Sequence, residues 1–421
     1  MIDGHGRGII PAWTSPAQWA LDPNVTYLNH GSFGACLREV LQVQQRWRDR
    51  VDANPTSFLG RELEDLLDWV RSEIGAFVGA DADDLALTTN ATAGINIVLR
   101  SLVLRPGDEV LATDHAYNAS LNALRFVAER SGARVILARI PFPCPDPDAA
   151  YTAIMSRVTP RTRLAMIEHV TSPTALVLPL ERLVPALMAR GVGVLVDGAH
   201  GPGQVPLDLR TLDPDWYAAT AHKWVCAPKG TGFLYVRRDR QATIRPLAIS
   251  HGANDRRTDR SRFRLEFDWT GTFDPSAFLT IPAAIDGMAE VMKGGWESIR
   301  AANRELAARA RDVLAESTDA VPGGPASMSA AMASLVLPFA PRSRERAEEA
   351  RGAITAGLLE RRIEVPLIPW PSPWLIDSGD LPPDTPLGLL VRVSAQLYNR
   401  IGQYERLASI LAGLVEANGR M

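Results

Sequence analysis

The segment VGVLVDGAHGPGQ, residues 192–204, carries the strongest structural signal in this sequence. It begins with an uninterrupted apolar run and turns polar at Asp197, a pattern typical of a strand buried on both faces of a parallel sheet. A buried carboxylate needs a partner, and a protonated ring nitrogen of a cofactor, a buried arginine or a helix N-terminus would each serve Asp197. The nearby His200 is a candidate to contact a bound ring, although most single histidines are structural.

A second predicted strand leads directly to a lysine. The run DWYAAT, residues 215–220, continues into TAHKW, residues 220–224. Lys223 therefore stands just beyond a predicted strand end, where a partly desolvated amine can form a Schiff base with a carbonyl compound. A solvated surface lysine would give the same pattern. The neighbouring Thr220 and His222 are residue types that can hold a phosphate or a ring.

The segment TTNATAGIN, residues 88–96, predicts an anion site. It joins the strand candidate LALTT to a helical segment, with Asn90, Ala91 and Thr92 at the junction. Backbone N–H groups at a helix N-terminus and a threonine hydroxyl together bind phosphate, whereas an ordinary N-cap would use the same residues. The strand is not followed by G-x-G-x-x-G, and GxxxxGK[ST] does not occur, so neither a dinucleotide nor a P-loop nucleotide is indicated.

The sequence between Tyr27 and Val236 alternates short β-rich runs with helical segments, which predicts an α/β fold with a mainly parallel sheet. Further strand candidates are EVLAT (109–113), RVILARI (134–140), RLAMIEHV (163–170) and TGFLYV (231–236). The carboxyl ends of parallel strands line a common crevice. Five polar residues at predicted strand ends are therefore expected to meet there: Asn90, Asp114, Thr171, Asp197 and Thr220.

The last third of the chain differs in composition and in its pattern of predicted helices and strands. Long helical runs rich in Ala, Arg and Glu (301–316 and 344–361) surround short apolar strands (334–338 and 389–394), which predicts a smaller α+β domain. We divide the chain into an N-terminal segment (1–30) that packs with the small domain, a large domain (31–285) and the small domain (286–421). The proline-rich stretch 366–386 is predicted to lack regular structure and to form either a lid or a packed surface loop.

Composition excludes several classes of protein. The 421 residues are 46% hydrophobic and 22% charged, with a net charge of -3, so a disordered chain or a dedicated nucleic-acid binder is not expected. The three cysteines are far apart, which argues against disulfides and against a zinc knuckle. We therefore expect a cytoplasmic enzyme without a bound metal, and the absence of a long apolar run predicts no membrane span.

Further motifs, in order along the chain, complete a pattern that spans nearly the whole sequence. They are YLNHGSFG (27–34), DHAYNA (114–119), HVTSPTALVLP (169–179), FDWTGTFDP (267–275) and VRVSAQLYN (391–399). Together with the segments above, they resemble the fold-type I pyridoxal-phosphate enzymes of aminotransferase class V, and within that class the isopenicillin N epimerase-like group. The resemblance implies a large domain with a mainly parallel, seven-stranded type of sheet, a small α+β domain, bound pyridoxal 5'-phosphate and a homodimer with shared active sites.

The resemblance also implies residue roles at the cofactor. Lys223 would form the Schiff base and move the Cα proton, Asp197 would pair with the pyridine nitrogen, and His200 would lie near the phenolic oxygen. Tyr117 would stack on the ring, with His115 as a substitute. The phosphate would be held by four residues of the same chain, Ala91, Thr92, Thr220 and His222, and by Thr272 of the neighbouring subunit.

The substrate end is implied in the same way. Arg392 resembles the anchor for a substrate carboxylate, and Ser172 matches a position near the phenolic oxygen or the substrate. Asn29 and His30 lie in the N-terminal segment that would close over a small amino-acid substrate.

The reaction branch stays open between epimerisation, C–S β-elimination and transamination. A cysteine desulfurase is disfavoured because no cysteine follows Cys226, whereas such enzymes need a nucleophilic cysteine in the small domain. Epimerisation needs a second acid or base opposite Lys223, and the candidates are His30, His115, Tyr117 and Tyr398. We expect an isopenicillin N epimerase-like enzyme, with a C–S lyase or an aminotransferase as alternatives and a non-catalytic relative as the contrasting hypothesis.

The arginine-rich run NDRRTDRSRFR (254–264) has two main interpretations, and a nucleic-acid role is a weaker third, because Phe263 is the sole aromatic residue in the run and the chain is net acidic. It would recognise an anionic substrate at a subunit interface, or it would form a salt-bridged loop, which is the commoner fate of such clusters.

Overall fold

The computed structural model describes residues 15–339 and 343–419. Its strands are β1 Thr26–Tyr27, β2 Leu85–Thr88, β3 Glu109–Thr113, β4 Arg134–Ala138, β5 Thr162–Glu168, β6 Gly193–Gly198, β7 Trp216–Thr220, β8 Gly232–Val236, β9 Val321–Pro322, β10 Met332–Val336, β11 Ile363–Glu364, β12 Leu367–Trp370 and β13 Gly388–Ser394. Its α-helices are α1 Arg38–Ala53, α2 Pro55–Ser57, α3 Leu63–Val78, α4 Ala91–Ser101, α5 Asn118–Ser131, α6 Pro147–Met155, α7 Leu180–Met188, α8 Leu209–Leu212, α9 Arg262–Asp268, α10 Ser276–Leu279, α11 Ile281–Val291, α12 Gly295–Thr318, α13 Arg344–Glu360, α14 Pro373–Asp377 and α15 Ile401–Gly419.

A seven-stranded sheet in the order β2-β8-β7-β6-β5-β3-β4 forms the centre of the large domain. The pairs from β7 through β6, β5 and β3 to β4 are parallel, and β8 is antiparallel to both β2 and β7. Strands β3, β7 and β8 are buried along their whole length, because helices cover both faces and favour continuous apolar runs. The predicted α/β fold and its seven strands are confirmed.

The sheet brings several polar residues to one edge. The parallel strands β3, β5, β6 and β7 end at Thr113, Glu168, Gly198 and Thr220. Strand β2 runs in the same direction as β7, since each is antiparallel to β8, and it leads into α4. The N-terminus of α4 therefore lies at the same edge as these strand ends.

The smaller unit is built on a four-stranded antiparallel sheet in the order β12-β13-β10-β9. Helices α12, α13 and α15 cover it around a core that includes Leu306, Leu335 and Tyr404. Strand β1 pairs in parallel with β11 of this unit, and Leu28 packs into its core. The part of the N-terminal segment that the structure describes thus contacts the C-terminal unit; its residues 1–14 lie outside the described residues. Helix α11 spans the domain boundary proposed at 285/286, which stays a prediction.

The proline-rich stretch 366–386 corrects one prediction. It contains β12 and α14, so the expectation that it lacks regular structure is wrong. Strand β12 forms because it pairs with β13, a contact that proline content does not reveal. Leu375 packs on the core beside α4 and α5, and Asp380 forms an ion pair with Arg125, so the stretch is docked on the large domain.

The arginine-rich run 254–264 is held by acidic residues of the same chain. Arg260 pairs with Asp68 at 2.8 Å, and Arg264 contacts both Asp68 and Asp268. Salt bridges within the chain therefore account for much of this cluster, as the second interpretation predicted. Within the described ranges, no helix is both long enough and apolar enough to cross a membrane.

Candidate active site

A cavity of about 320 Å³ opens at the polar edge of the large sheet. It is lined by Gly31, Ser32, Phe33, Asn90, Ala91, Thr92, Tyr117, Glu168, Val170, Ser172, Asp197, Ala199, His200, Thr220, His222 and Lys223. The ends of five strands, with the loops that follow them, and the loop at residues 31–33 thus meet at one place. Of the five polar strand-end residues expected to converge, Asn90, Asp197 and Thr220 line the cavity, whereas Asp114 and Thr171 do not.

Lys223 lies in the turn after β7, with its Nζ 3.2 Å from His200 Nε2. Burial lowers the pKa of Lys223 to about 8, Arg392 acts in the same direction and Asp197 opposes both. Trp224 Nε1 donates to His200 Nδ1 at 3.3 Å, which leaves the proton of the neutral imidazole on Nε2. Burial, followed by the charges of Lys223 and Arg392, holds the pKa of His200 well below its ordinary range. A neutral histidine thus donates to a lysine whose free amine is stabilised, which suits a nucleophile or a base.

Asp197 is a buried carboxyl group whose contacts lack a cation. Its Oδ2 accepts from Ser120 Oγ at 2.9 Å, and its Oδ1 accepts from Ala199 N at 3.1 Å. Burial raises its pKa, although these hydrogen bonds and the charge of Lys223 act in the other direction. Among the described residues, no cation lies within ion-pair distance of Asp197. A cationic ligand group at this place would stabilise the ionised form.

The N-terminus of α4 forms another part of the cavity. Asn90 caps the helix by accepting from Ala93 N at 2.8 Å, and Thr220 Oγ1 accepts from Ala91 N at 3.1 Å. His222 contacts the main chain of Thr231 and is neutral, since burial and then Lys223 lower its pKa to about 4. The helix end is therefore held in place, and the positive end of its dipole favours an anion.

Arg392, on β13, lies behind Ser32 and Ser172. Its Nη2 donates to Ser32 Oγ at 2.7 Å and to Asn29 Oδ1 at 3.4 Å, and its Nη1 contacts the carbonyl oxygen of Ser172. Its Nε has no hydrogen-bond partner, and burial lowers the pKa of the guanidinium to about 10. Arg392 does not itself line the cavity, but its partners Ser32 and Ser172 do. Within the described ranges no carboxylate neutralises Arg392, so its charge favours an anionic group at the adjoining end of the cavity.

The aminotransferase class-V family model matches residues 27–339. The chain belongs to aminotransferase class V. Among class V relatives, it is 36% identical to the isopenicillin N epimerase of Amycolatopsis lactamdurans, over 96% of this chain and 99% of the relative. It is 34% identical to the isopenicillin N epimerase of Streptomyces clavuligerus, over 94% and 96%, and 30% identical to a probable chloroplastic L-cysteine desulfhydrase of Arabidopsis thaliana, over 94% and 84%.

Solved structures agree on the class V fold. A complex between the cystine C–S lyase C-DES and its product cysteine persulfide superposes with a TM-score of 0.74 and 24% identity, over 93% of this chain and 98% of that chain. A C-DES mutant with glycine covalently linked to the PLP cofactor gives a TM-score of 0.76 and 23% identity, over 95% and 99%. At these identities the match shows the fold alone.

Pyridoxal 5'-phosphate is the cofactor of class V enzymes, and the cavity fits each of its parts. Asp197 has no cationic partner, which suits the protonated ring nitrogen. The N-terminus of α4 with Thr92 suits the phosphate, Lys223 suits the aldehyde, and the half-exposed Tyr117 borders the cavity where a ring would stack. These roles stay predictions, but the residues present match the group.

Three of the four candidates for a second acid or base, His30, His115 and Tyr398, do not line the cavity. His30 is fully buried, with Nδ1 3.0 Å from Tyr398 Oη and Nε2 3.1 Å from the carbonyl oxygen of Lys223. It therefore supports the lysine turn from behind. His115 is enclosed by Thr174 and by the carbonyl oxygen of Ile140. Of the four candidates for a second acid or base, Tyr117 alone lines the cavity.

Two further residues complete the comparison with the sequence. Thr272 is exposed and does not line the cavity of its own chain, which is compatible with its predicted role in a partner subunit. Glu168 lines the cavity and was missed. The available signal was an acidic residue after the apolar run LAMI, but the predicted strand was extended to Val170 and made Glu168 an interior residue.

Proposed function

We propose that this enzyme removes the Cα proton of an amino acid, or of the amino-acid part of a larger substrate, in an isopenicillin N epimerase-like reaction. The observation that carries the proposal is the half-buried Lys223, which lines the cavity with its amine 3.2 Å from a neutral histidine. A lysine held in this way is a suitable base near neutral pH, because its pKa of about 8 lies close to the operating range.

The cofactor supplies an electron sink that makes the Cα proton acidic. Lys223 takes that proton at Nζ. Asp197, kept in place by Ser120 and Ala199, holds the proton of the ring nitrogen. Arg392 binds the substrate carboxylate and thereby orients the Cα–H bond toward Lys223.

Epimerisation is the first candidate because the two most similar relatives described above are isopenicillin N epimerases. It requires a proton donor on the face opposite Lys223. Tyr117 fills this role in our proposal, since among the candidates it alone borders the cavity.

C–S β-elimination is the second candidate. Elimination needs the single base Lys223 and an expelled sulfur, without a second acid on the opposite face. The probable chloroplastic L-cysteine desulfhydrase of Arabidopsis thaliana among the relatives favours this alternative. A second observation also favours it: among the described residues that line the cavity, the nitrogen bases besides Lys223 are His200 and His222, which are held by Trp224 and Thr231.

A homodimer belongs to the same proposal. The exposed Thr272 would contact the phosphate in the partner's site, and the exposed Phe33 at the cavity entrance, with 68% of its surface accessible, would be covered in part by the second subunit. The cytoplasmic location stays a prediction.

The test is proton NMR in D₂O on the cofactor-loaded protein with isopenicillin N-like peptides, free amino acids and S-substituted cysteines. Loss of the Cα proton signal together with the opposite epimer supports epimerisation, and Tyr117→Phe should then abolish the inversion while Cα exchange continues. Formation of pyruvate supports elimination, which Tyr117→Phe should leave intact. If no substrate exchanges its Cα proton, the proposed function is wrong.

A further inference from the structure

Glu168 is an acidic side chain of the cavity that the proposed chemistry does not use. It ends β5 and pairs in register with Asp197 on β6. Adjacent residues of parallel strands in register direct their side chains to the same face of the sheet. Glu168 is 2% exposed and lines the same cavity as Asp197. Two carboxyl groups therefore lie next to each other at the polar edge of the sheet.

The two oxygens of Glu168 have different surroundings. Thr113 Oγ1 donates to Oε2 at 2.8 Å. Because Thr113 Oγ1 itself accepts from His115 N at 3.2 Å, its single proton is directed to Glu168. The other oxygen, Oε1, is buried without a hydrogen-bond partner. One end of the carboxyl group is anchored, and the other is left for a proton or a ligand.

The charges around Glu168 oppose its ionisation. Titratable or charged groups on the surrounding elements are listed here in chain order: Asp114 and His115 after β3, Tyr117 before α5, Asp197 and His200 on and after β6, Tyr217 on β7, Lys223 after β7 and Arg392 on β13. Of these, the two acids Asp114 and Asp197 act on the charge of Glu168. No cation lies within ion-pair distance of Glu168 in the part of the chain that the structure describes. Burial raises the pKa of Glu168 to about 8, Asp197 and Asp114 act in the same direction, and the hydrogen bond from Thr113 opposes them.

On the basis of the proposed function, we propose that Glu168 is a positioning residue for the cofactor ring. It holds a proton at neutral pH, so that Asp197 is the single anion at this end of the cavity. When the proton leaves to solvent, a second negative charge appears beside Asp197 and strengthens the hold on a protonated ring nitrogen. Cofactor affinity thereby depends on pH through Glu168.

The first experiment measures the Kd of pyridoxal phosphate by absorbance at pH 6 and pH 9 for the wild type and Glu168→Gln. Both proteins carry a neutral side chain at pH 6, but at pH 9 the wild type has the additional carboxylate. From pH 6 to pH 9, the Kd of Glu168→Gln divided by the Kd of the wild type should therefore rise on the order of tenfold. A tenfold change corresponds to one pKa unit of coupling between the Glu168 carboxyl group and the bound cofactor. Ser120→Ala is the matched control, since it removes a donor from Asp197 and should alter Kd by the same factor at both pH values.

A ratio that is equal at pH 6 and pH 9 would overturn the inference. This outcome is distinct from failure of the proposed function, in which the wild type would show no cofactor absorbance band at all. A band with the same pH dependence in both proteins contradicts the role of Glu168 alone.

A second measurement needs no cofactor. A carboxyl group whose pKa is raised on folding stabilises the fold below its unfolded pKa near 4.5 and loses that contribution as the pH rises through about 8. The wild-type apoprotein should therefore lose stability relative to Glu168→Gln over this range in urea titrations. If Glu168→Gln does not fold, Thr113→Val replaces it in this test. Without the hydrogen bond from Thr113, the pKa of Glu168 should rise, so the loss of stability should occur at a higher pH than in the wild type. An unchanged profile of stability against pH would contradict the inference.

Discussion

The inner end of the cavity and its mouth are built differently. The inner end consists of the buried Glu168, Asp197 and His200 and the half-buried Lys223, and contacts within the chain hold each of them. The mouth consists of Phe33 and Tyr117, with accessible fractions of 68% and 49%. Contacts within the chain thus fix the side chains at the inner end, whereas the two side chains at the mouth are half-exposed or exposed.

A substitution at the inner end, Lys223→Ala, should cause the largest loss of turnover. Lys223→Ala removes the amine that we propose both binds the cofactor and acts as the base, so turnover should fall by on the order of 10³–10⁴-fold. Steady-state assays would measure the loss, and circular dichroism would check that the fold is intact. Turnover within tenfold of the wild type would contradict the role of Lys223 and remove the distinction between the two regions.

Stability should show the cost of burying this amine. The pKa of Lys223 is about 8 in the folded state, below its ordinary value. At every pH at which the unfolded chain still binds this proton, the difference in pKa therefore lowers the free energy of unfolding. Lys223→Met apoprotein should be more stable than the wild type at pH 6–7 by roughly 3 kcal/mol. The difference should shrink as the pH rises from about 8 toward the ordinary lysine range. Urea titrations at several pH values measure it, and a difference independent of pH would contradict the assignment.

Loss of the Arg392 side chain, which lies between the inner end and the mouth, should weaken substrate binding more than cofactor binding. Loss of charge-assisted hydrogen bonds worth about 1.5–3 kcal/mol should raise the KM of Arg392→Ala by roughly 10- to 100-fold. The Kd of pyridoxal phosphate should stay near the wild-type value. Arg400→Ala, an exposed arginine, is the control and should change neither constant. Equal losses in substrate and cofactor affinity would remove the assigned role of Arg392.

The smallest effect is expected outside the cavity, at Thr272. If its hydroxyl contacts the partner's phosphate, Thr272→Ala should weaken cofactor binding by up to about tenfold, the value of one hydrogen bond. Mixing the Thr272→Ala and Lys223→Ala proteins should then restore one native site in each hybrid dimer. Sedimentation would establish the dimer, and hybrids without recovered affinity would indicate that each chain binds the cofactor alone.

The inner end was also the more predictable region from sequence. Strands β6 and β7 are apolar runs that end in Asp197 and in TAHKW, so local pattern alone located the carboxylate and the lysine. Glu168 was missed because the sequence predicts a strand that continues to Val170, whereas β5 ends two residues earlier, at Glu168.

Residues that depend on distant packing were less predictable. The role of His30 is set by Tyr398 and by the lysine turn, which are far away in sequence. The structure of the stretch 366–386 depends on pairing with β13. Motif order nevertheless predicted the family, because it reflects the whole set of positions rather than one local pattern.

Lys223 is the proposed attachment point of the cofactor. The sequence contains three lysines, Lys223, Lys229 and Lys293, so borohydride reduction of the cofactor-loaded protein followed by peptide mass mapping gives a clear answer. We expect the reduced cofactor on the peptide that contains Lys223, and its loss in Lys223→Ala but not in Lys293→Ala. Attachment to Lys229 or Lys293, or no attachment in the wild type, would contradict it.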